Sequence, residues 1–441
     1  MVDRSRNLCA YLCILSRYDI PINQFEWLHS VKIGVSVYKI AGCFFCVDNF
    51  KRIYARALLA SVSDGAGTPY VPIYAAYVGA SSSQLGLLHS FLNLGTNVFQ
   101  SIWGYLSDKK NTRVPFIIVG GVISSVIWLF IAMTNDPGMI TLLVAVQSVF
   151  TAMAAPAFVG LIGDLVPASS RAIVSTSINL WTQAGSMFST LFVGLSSLIG
   201  LPGFTVGFII ATVSGLLAAI VMIGFRSAQR RYTTPGRINI VSVTKHIVRE
   251  GLFLRFCLVN AGFGFFMSIA WPVFTVTLAR VAGLTFFEIS ILTVASGAAG
   301  ILGLYLLSNA TSRIGAAKTL MINRSSLAVL PIVYGLTPSF PFLLGVNILA
   351  GVNAALINTA VLLFLIEKTP MEERASFIAF YNLLAGSSYF AGSITGGVML
   401  GVLESRMRQD IAILIVYIVS AVGRLGMGLI HAPILSQREA K

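Results

Sequence analysis

The chain has 441 residues, of which 56% are hydrophobic and only 10% charged, and a formal net charge of +14. A soluble domain carries roughly 45–50% apolar and about 25% charged residues, so the shortage of charge excludes a chain whose whole surface meets water. The positive excess would suggest nucleic acid if it formed one basic face, but much of it crowds a few loops between apolar runs, and no nucleic-acid partner is expected.

Residues 1–52 carry charges too often to span a bilayer (Arg17, Asp19, Glu26, Lys32, Lys39, Asp48). Leu8–Leu15 is short for a signal-peptide core and has no small-residue cleavage site. The segment reads as a cytoplasmic or interfacial extension, with a mis-assigned translation start as the alternative. It holds Cys9, Cys13, Cys43 and Cys46, and Cys43-Phe-Phe-Cys46 has the spacing of a zinc ligand pair. The linker between the two pairs is long and no paired histidines accompany them, so no metal and no cofactor is expected.

From Ile53 to His431, apolar runs recur at the length of about 20 residues that crosses hydrocarbon at a rise of about 1.5 Å each. They lie near 54–76, 83–104, 114–134, 138–163, 171–199, 203–225, 252–279, 287–308, 316–336, 340–366, 373–402 and 410–430. The joints are turn-rich, as in Asn135-Asp136-Pro137-Gly138 and Thr337-Pro338-Ser339. The pattern predicts an all-α integral membrane protein of about twelve transmembrane helices. Lys109, Lys110 and Arg113, then Arg226, Arg230, Arg231, Arg237, Lys245 and Arg249, then Arg313, Lys318 and Arg324 gather in alternate loops. The intervening segments around 75–83, 135–138, 200–203 and 337–341 have no Lys or Arg. Basic loops stay inside, which predicts a multi-pass cell-membrane protein with both termini cytoplasmic. Arg406 and Arg408 break the pattern, beside Glu404 and Asp410.

The chain repeats itself. Asp164-Leu-Val-Pro167-Ala-Ser-Ser-Arg171-Ala172 and Glu367-Lys-Thr-Pro370-Met-Glu-Glu-Arg374-Ala375 align acid, proline, arginine and alanine, and the same offset pairs Asn179 with Asn382. Pro72 and Pro272 nearly correspond. Two halves follow, 53–225 and 252–431, on either side of a cytoplasmic basic linker 226–251 and before a cytoplasmic tail 432–441.

Between the second and third spans stands Gly104-Tyr-Leu106-Ser-Asp108-Lys109-Lys-Asn-Thr-Arg113, with a weaker counterpart in Leu306–Lys318. With this motif and the repeat, the chain resembles the major facilitator superfamily, which has Gly-x-Leu-x-Asp-Arg-x-Gly-Arg-Lys here. Asn111 and Thr112 depart from that pattern, and Ser312 stands where the second copy would have its acid. The resemblance covers 53–431 and implies two six-helix pseudo-symmetric halves and secondary transport by alternating access. It implies a cytoplasmic gating set of Gly104, Asp108, Lys109, Arg113, Asp164, Arg171, Arg313, Glu367 and Arg374, with Asp108 facing the start of the eleventh span near Pro370. In physical terms, Gly104 lets two helices approach closely, and Asp108 can cap a helix or pair with Arg113 or Arg171. The bland alternative is a basic turn that only sets topology.

Ionisable groups within spans are costly and therefore candidates for function. Asp64 sits mid-span in Ser61-Val-Ser63-Asp64-Gly65-Ala-Gly67-Thr68-Pro69, where glycines and proline are expected to loosen the helix. It suits a proton or a cationic substrate; the alternative is a local cap or a pair with Arg56. His89, Asn93, Asn97 and Gln100 form one polar stripe on the second span, so that face meets protein or water. His89 is either a proton carrier or a hydrogen-bonding strut. Gln147, Asn179, Gln183, Asn260, Trp271, Asn347, Asn353, Asn358, Asn382 and Tyr389 add a mainly uncharged lining that suits a small organic solute, or else glue between helices. Arg424 is expected to snorkel, and Arg280 and Glu288 to form a surface pair. The fourth span has no arginine near Leu143 and the fifth no Gly-Pro, features that the resemblance would associate with proton-driven drug antiport.

The expected partners are a small-molecule substrate, the lipid bilayer and, through Asp64 or His89, protons; a monomer is expected. A transporter-like receptor that binds solute without moving it is the rival. No His-x-x-x-His pair, nucleophile elbow, intramembrane carboxylate cluster or P-loop is found, so neither an enzyme nor an ATP-driven pump is expected.

Overall fold

The computed structural model describes residues 36–110, 112–166, 170–225, 250–314, 316–369 and 374–436; for some of these, among them 36–49, 308–314 and 374–376, it describes the backbone alone. The described residues are helical almost throughout and include no strand. Helix α1, Ser36–Gly67, is followed after a turn by α2, Val71–Tyr77, with Pro72 in its first turn. The described helix thus includes Ser36 to Arg52, inside the segment read as an extension. Cys43 and Cys46 lie on it with their side chains undescribed, and Cys9 and Cys13 lie outside the described residues.

Helix α3, Ser82–Leu94, passes through a π-helical turn, Gly95–Phe99, into α4, Gln100–Lys109. Then come α5, Val114–Met133, α6, Pro137–Leu165, α7, Arg171–Leu198, and α8, Gly203–Val221. The second half opens with α9, Gly251–Val276, and its π-helical turn Thr277–Val281, then α10, Phe286–Ile314. It continues with α11, Ala316–Ser326, α12, Val329–Leu336, α13, Phe340–Lys368, α14, Arg374–Glu404, and α15, Gln409–Ser436. Local chemistry sets several starts. Ser81 and Gln84 form a reciprocal capping box on α3, the Asp136 carboxylate accepts from Gly138 N and Met139 N, and α5, α6 and α13 carry proline in the first turn.

Among the described residues, nine helical stretches are long and apolar enough to cross a membrane. The three other predicted spans, 54–76, 83–104 and 171–199, fall on α1–α2, α3–α4 and α7, which are helical but broken or more polar. Each of these spans has a face on the seam between the halves or on a cavity, where water or protein replaces lipid. On outer faces, Phe130, Leu142, Ile199, Ile223 and Leu306 are exposed, as lipid contact permits.

The packing repeats between the halves. Helix α1 packs on α7 and α8 as α9 packs on α14 and α15, while α5 packs on α6 and α8 as α11 packs on α13 and α15. Likewise α3 meets α6 and α10 meets α13. Across the seam α3 meets α14 and α7 meets α10, which is one contact and its two-fold copy.

The buried apolar side chains show how the halves sit. At the end away from the basic loops one cluster runs through both halves, joining Tyr70, Leu88, Ile131 and Phe208 to Phe263, Val273, Leu343 and Tyr417. At the other end there are two clusters, one around Ile53, Phe116, Leu161 and Phe225, the other around Phe253, Leu320, Phe364 and Phe377. Among the described residues the halves are therefore joined by apolar packing at the far end, and no buried apolar cluster joins them toward the end that carries the basic loops. Hydrogen bonds reinforce the junction: Tyr70 Oη lies 2.6 Å from Ser290 Oγ and donates to Thr190 O at 2.7 Å, and Ser82 Oγ donates to Glu404 at 2.6 Å.

Candidate solute site

A cavity of about 580 Å³ lies within the first half, walled by α1, α5, α6, α7 and α8. Asp64 on α1 is exposed into it, and Arg56, two turns earlier on the same helix, also lines it. Between and around them stand Ser61, Ser63, Ser124, Ser125, Thr151, Ser175, Asn179 and Thr182. The size is in the usual range of about 300–1,000 Å³ for sites of small organic molecules.

Helix α1 is fixed on three sides, which aims Asp64. Ser63 Oγ donates to Ala211 O of α8 at 2.6 Å, Thr190 Oγ1 of α7 donates to Gly65 O at 2.8 Å, and Trp128 of α5 covers Gly67. A Cβ at Gly67 would lie 2.6 Å from Trp128 Cζ2. The glycines were expected to loosen the helix and free its carbonyls. Instead α1 continues through Gly65, whose carbonyl is taken, and the missing side chains permit close packing.

Asp64 and Arg56 have no side-chain hydrogen-bond or ion-pair partner among the described residues, and no direct pair joins them. The guanidinium of Arg56 lies 4.0 Å from the ring centre of Phe158. Arg171 also reaches the cavity, but its guanidinium donates to Val166 O at 3.1 Å and Gly163 O at 2.8 Å, capping the end of α6.

The other candidates divide. Asn179 lines the cavity; Gln183, a turn further on α7, is exposed but not part of its wall. Gln147 donates to Ser124 O at 3.2 Å and ties α6 to α5. On the second span, His89 Nε2 lies 2.9 Å from Thr275 Oγ1 across the seam, Asn93 and Asn97 donate to carbonyls of their own helix, and Gln100 is half-buried. In the second half Asn260 accepts from Arg324 and from Tyr381 at 3.5 Å, and the rings of Trp271 and Tyr389 lie 5.3 Å apart. Asn353 accepts from Asn323 at 2.8 Å and Ser326 at 2.9 Å, Asn347 donates to Tyr334 Oη at 2.7 Å, and Asn382 is half-buried on α14. The side chain of Asn358 lies outside the description.

In the loop motif, Arg113 pairs with Asp108, reaches Asp164 at 3.3 Å and donates to Ser107 Oγ at 3.2 Å. Gly104 faces Pro156 of α6, and Lys109 extends toward the Tyr105 ring at 6.0 Å. All of these contacts stay within the first half. Pro370 and the side chains of Arg313, Glu367 and Arg374 lie outside the described residues.

Three arginines depart from expectation. Arg324, taken for a loop residue, is fully buried on α11, with Phe263 under its guanidinium at 4.8 Å. Arg424 does not snorkel: it is 1% exposed and donates to Leu327 O at 2.7 Å and Met267 O at 3.0 Å. The first of these carbonyls lies at the break between α11 and α12, where the helical ladder is interrupted. Arg280 does not pair with Glu288, which accepts from Thr285 N at 2.8 Å and caps α10; Arg280 crosses the seam to Ala76 O and Ala80 O.

Residues 55–393 match the family model described as Major Facilitator Superfamily. Similar solved structures include the nucleoside transporter NupG, at 16% identity and TM-score 0.69, covering 88% of this chain and 100% of that one. A bacterial homolog of the human lysosomal transporter Spinster, inward-facing and unoccupied, is similar at 17% identity and TM-score 0.60 over 91% of this chain and 96% of that one. A D-xylose-proton symporter follows at 14% identity and TM-score 0.66, covering 88% and 97%. No curated protein sequence matches significantly. At such identities the structural likeness speaks for the fold, and the family match supplies the rest: this chain belongs to the Major Facilitator Superfamily.

Proposed function

We propose that this secondary transporter moves a small organic solute by alternating access, with the cavity beside Asp64 as the solute site and a proton as the coupling ion. One observation carries the reading: a mid-span carboxylate opens onto a cavity of about 580 Å³ without a partner. An uncompensated acid at the centre of a span costs about 2.5–3.5 kcal/mol or more, so it is retained for a function. The carboxylate holds a proton or a cationic group of the solute, one at a time. The joined far end and the basic end without such a cluster are one state of the cycle, and the two-fold seam, α3 on α14 and α7 on α10, is the surface about which the halves rock. His89 braces the seam through Thr275, the other polar candidates brace helices within each half or, like Asn179, line the cavity, and the motif around Asp108 serves switching from within the first half.

The chain acts as a monomer, since it supplies both halves of the seam, and lies in the cell membrane with both termini cytoplasmic, as the basic loops favour. The test is uptake into proteoliposomes of a labelled nucleoside, D-xylose, a dipeptide and an amino acid, with and without a pH gradient. Accumulation of one of them that collapses with a protonophore is the expected result. Specific binding with no flux of any would contradict transport.

A further inference from the structure

Asp64 and Arg56 put opposite charges on one wall of one cavity, and neither is satisfied by the protein among the described residues. Eight residues separate them, a rise of about 12 Å along the helix, and they do not meet. The third charged residue of the wall, Arg171, is not free in this way, because two backbone carbonyls hold it. Phe158 fixes the Arg56 guanidinium from one face and leaves its edge, which carries the N–H donors, for a ligand. The side chains between the charges are short: Ala57, Ala60, Ser61 and Ser63. They leave room along α1 for a chain of atoms running from one charge to the other.

While the cavity is open, water serves both groups. Whenever the cavity is shut off from water, an isolated acid and base in a low dielectric are each strongly unfavourable. A molecule with an ammonium at one end and a carboxylate or other anion at the other satisfies both at once. A pure cation leaves Arg56 unmet, and a pure anion leaves Asp64 unmet. We infer that the solute of this cavity is dipolar, its cationic group held by Asp64 and its anionic group by Arg56, with several bonds between them. The inference rests on the transport reading only for the word solute; as a binding site it stands alone.

The test uses the purified full chain in detergent and follows its thermal midpoint with straight-chain amino acids from glycine through aminobutyrate and aminohexanoate to aminooctanoate. Hexylamine and hexanoate serve as single-charge controls. The midpoint rises with zwitterions of intermediate length, little with either control, and affinity falls about tenfold or more in both Asp64→Asn and Arg56→Gln. Arg56→Lys, which keeps the charge, retains most of the binding, and far-UV spectra and monodispersity establish that each variant is folded. Hexylamine stabilising as well as aminohexanoate, with Arg56→Gln indifferent, overturns the inference in favour of a site for cations. No response to any of the zwitterions overturns it as well. Binding of a zwitterion without uptake into vesicles would sustain this site and bring down the transport reading instead.

Discussion

Arg280 of the second half donates to Ala80 O at 2.6 Å and to Ala76 O at 3.1 Å, so one guanidinium caps the end of the first span from across the seam. Ala76 O also accepts from Gly79 N at 3.3 Å, so Arg280 adds a second donor at the end of α2, and Ala80 lies in the turn just beyond it. The contact exists only while the far end is closed, and hydrogen bonds from a charged group are worth about 1.5–3 kcal/mol. Arg280→Met keeps much of the stem and removes the donors, so it should shift the population toward opening at that end. A cysteine introduced at Ser290, fully buried at the seam beside Tyr70, should then be labelled by maleimide several-fold faster than in the parent background. Equal labelling rates would mean that Arg280 contributes nothing to closure.

Asp108→Asn removes an ion pair whose acid is 54% exposed, and Arg113 retains Asp164. The expected stability loss is small, about 0.2–1 kcal/mol. Transport should nonetheless fall if the motif acts, as proposed, in switching more than in folding. Flux equal to the parent in proteoliposomes would reduce the motif to a topological signal.

Gly67→Val should be poorly tolerated, since its Cβ would enter the Trp128 ring, which packs at 5.6 Å on Phe208 and has little room to move. Overpacking of this kind costs about 1–3 kcal/mol. A drop in thermal midpoint of the purified variant checks it, and an unchanged midpoint would contradict the described packing of α1 on α5.

The orientation rests on charge. A single cysteine placed at position 240 in the basic linker should be protected from an impermeant reagent in sealed cells and become reactive on lysis. Labelling without lysis would reverse the topology.

The apolar runs and the internal repeat made the helical membrane fold legible, because span length and backbone satisfaction leave few alternatives. Asp64 was legible for the same reason: charge within a span is rare enough to stand out. Arg56 was not, because a basic residue just inside an apolar run reads equally well as an anchor at the membrane face. Arg324 groups in the sequence with the basic residues Arg313 and Lys318 and so reads as part of a loop, whereas its burial against α9 is a tertiary fact. The stripe from His89 to Gln100 shows the other limit. Periodicity identifies a face that avoids lipid, but a seam and a cavity present the same pattern, and only the contact of His89 with Thr275 tells them apart.

If Asp64 joins the solute to the proton, as proposed, Asp64→Asn uncouples them, since it keeps the shape and removes the titration. The measurement is accumulation, in proteoliposomes under an imposed pH gradient, of the solute that the parent protein accumulates. The folded variant is expected to accumulate none above the level set by equilibration. Accumulation equal to the parent, with the same dependence on pH, would contradict it.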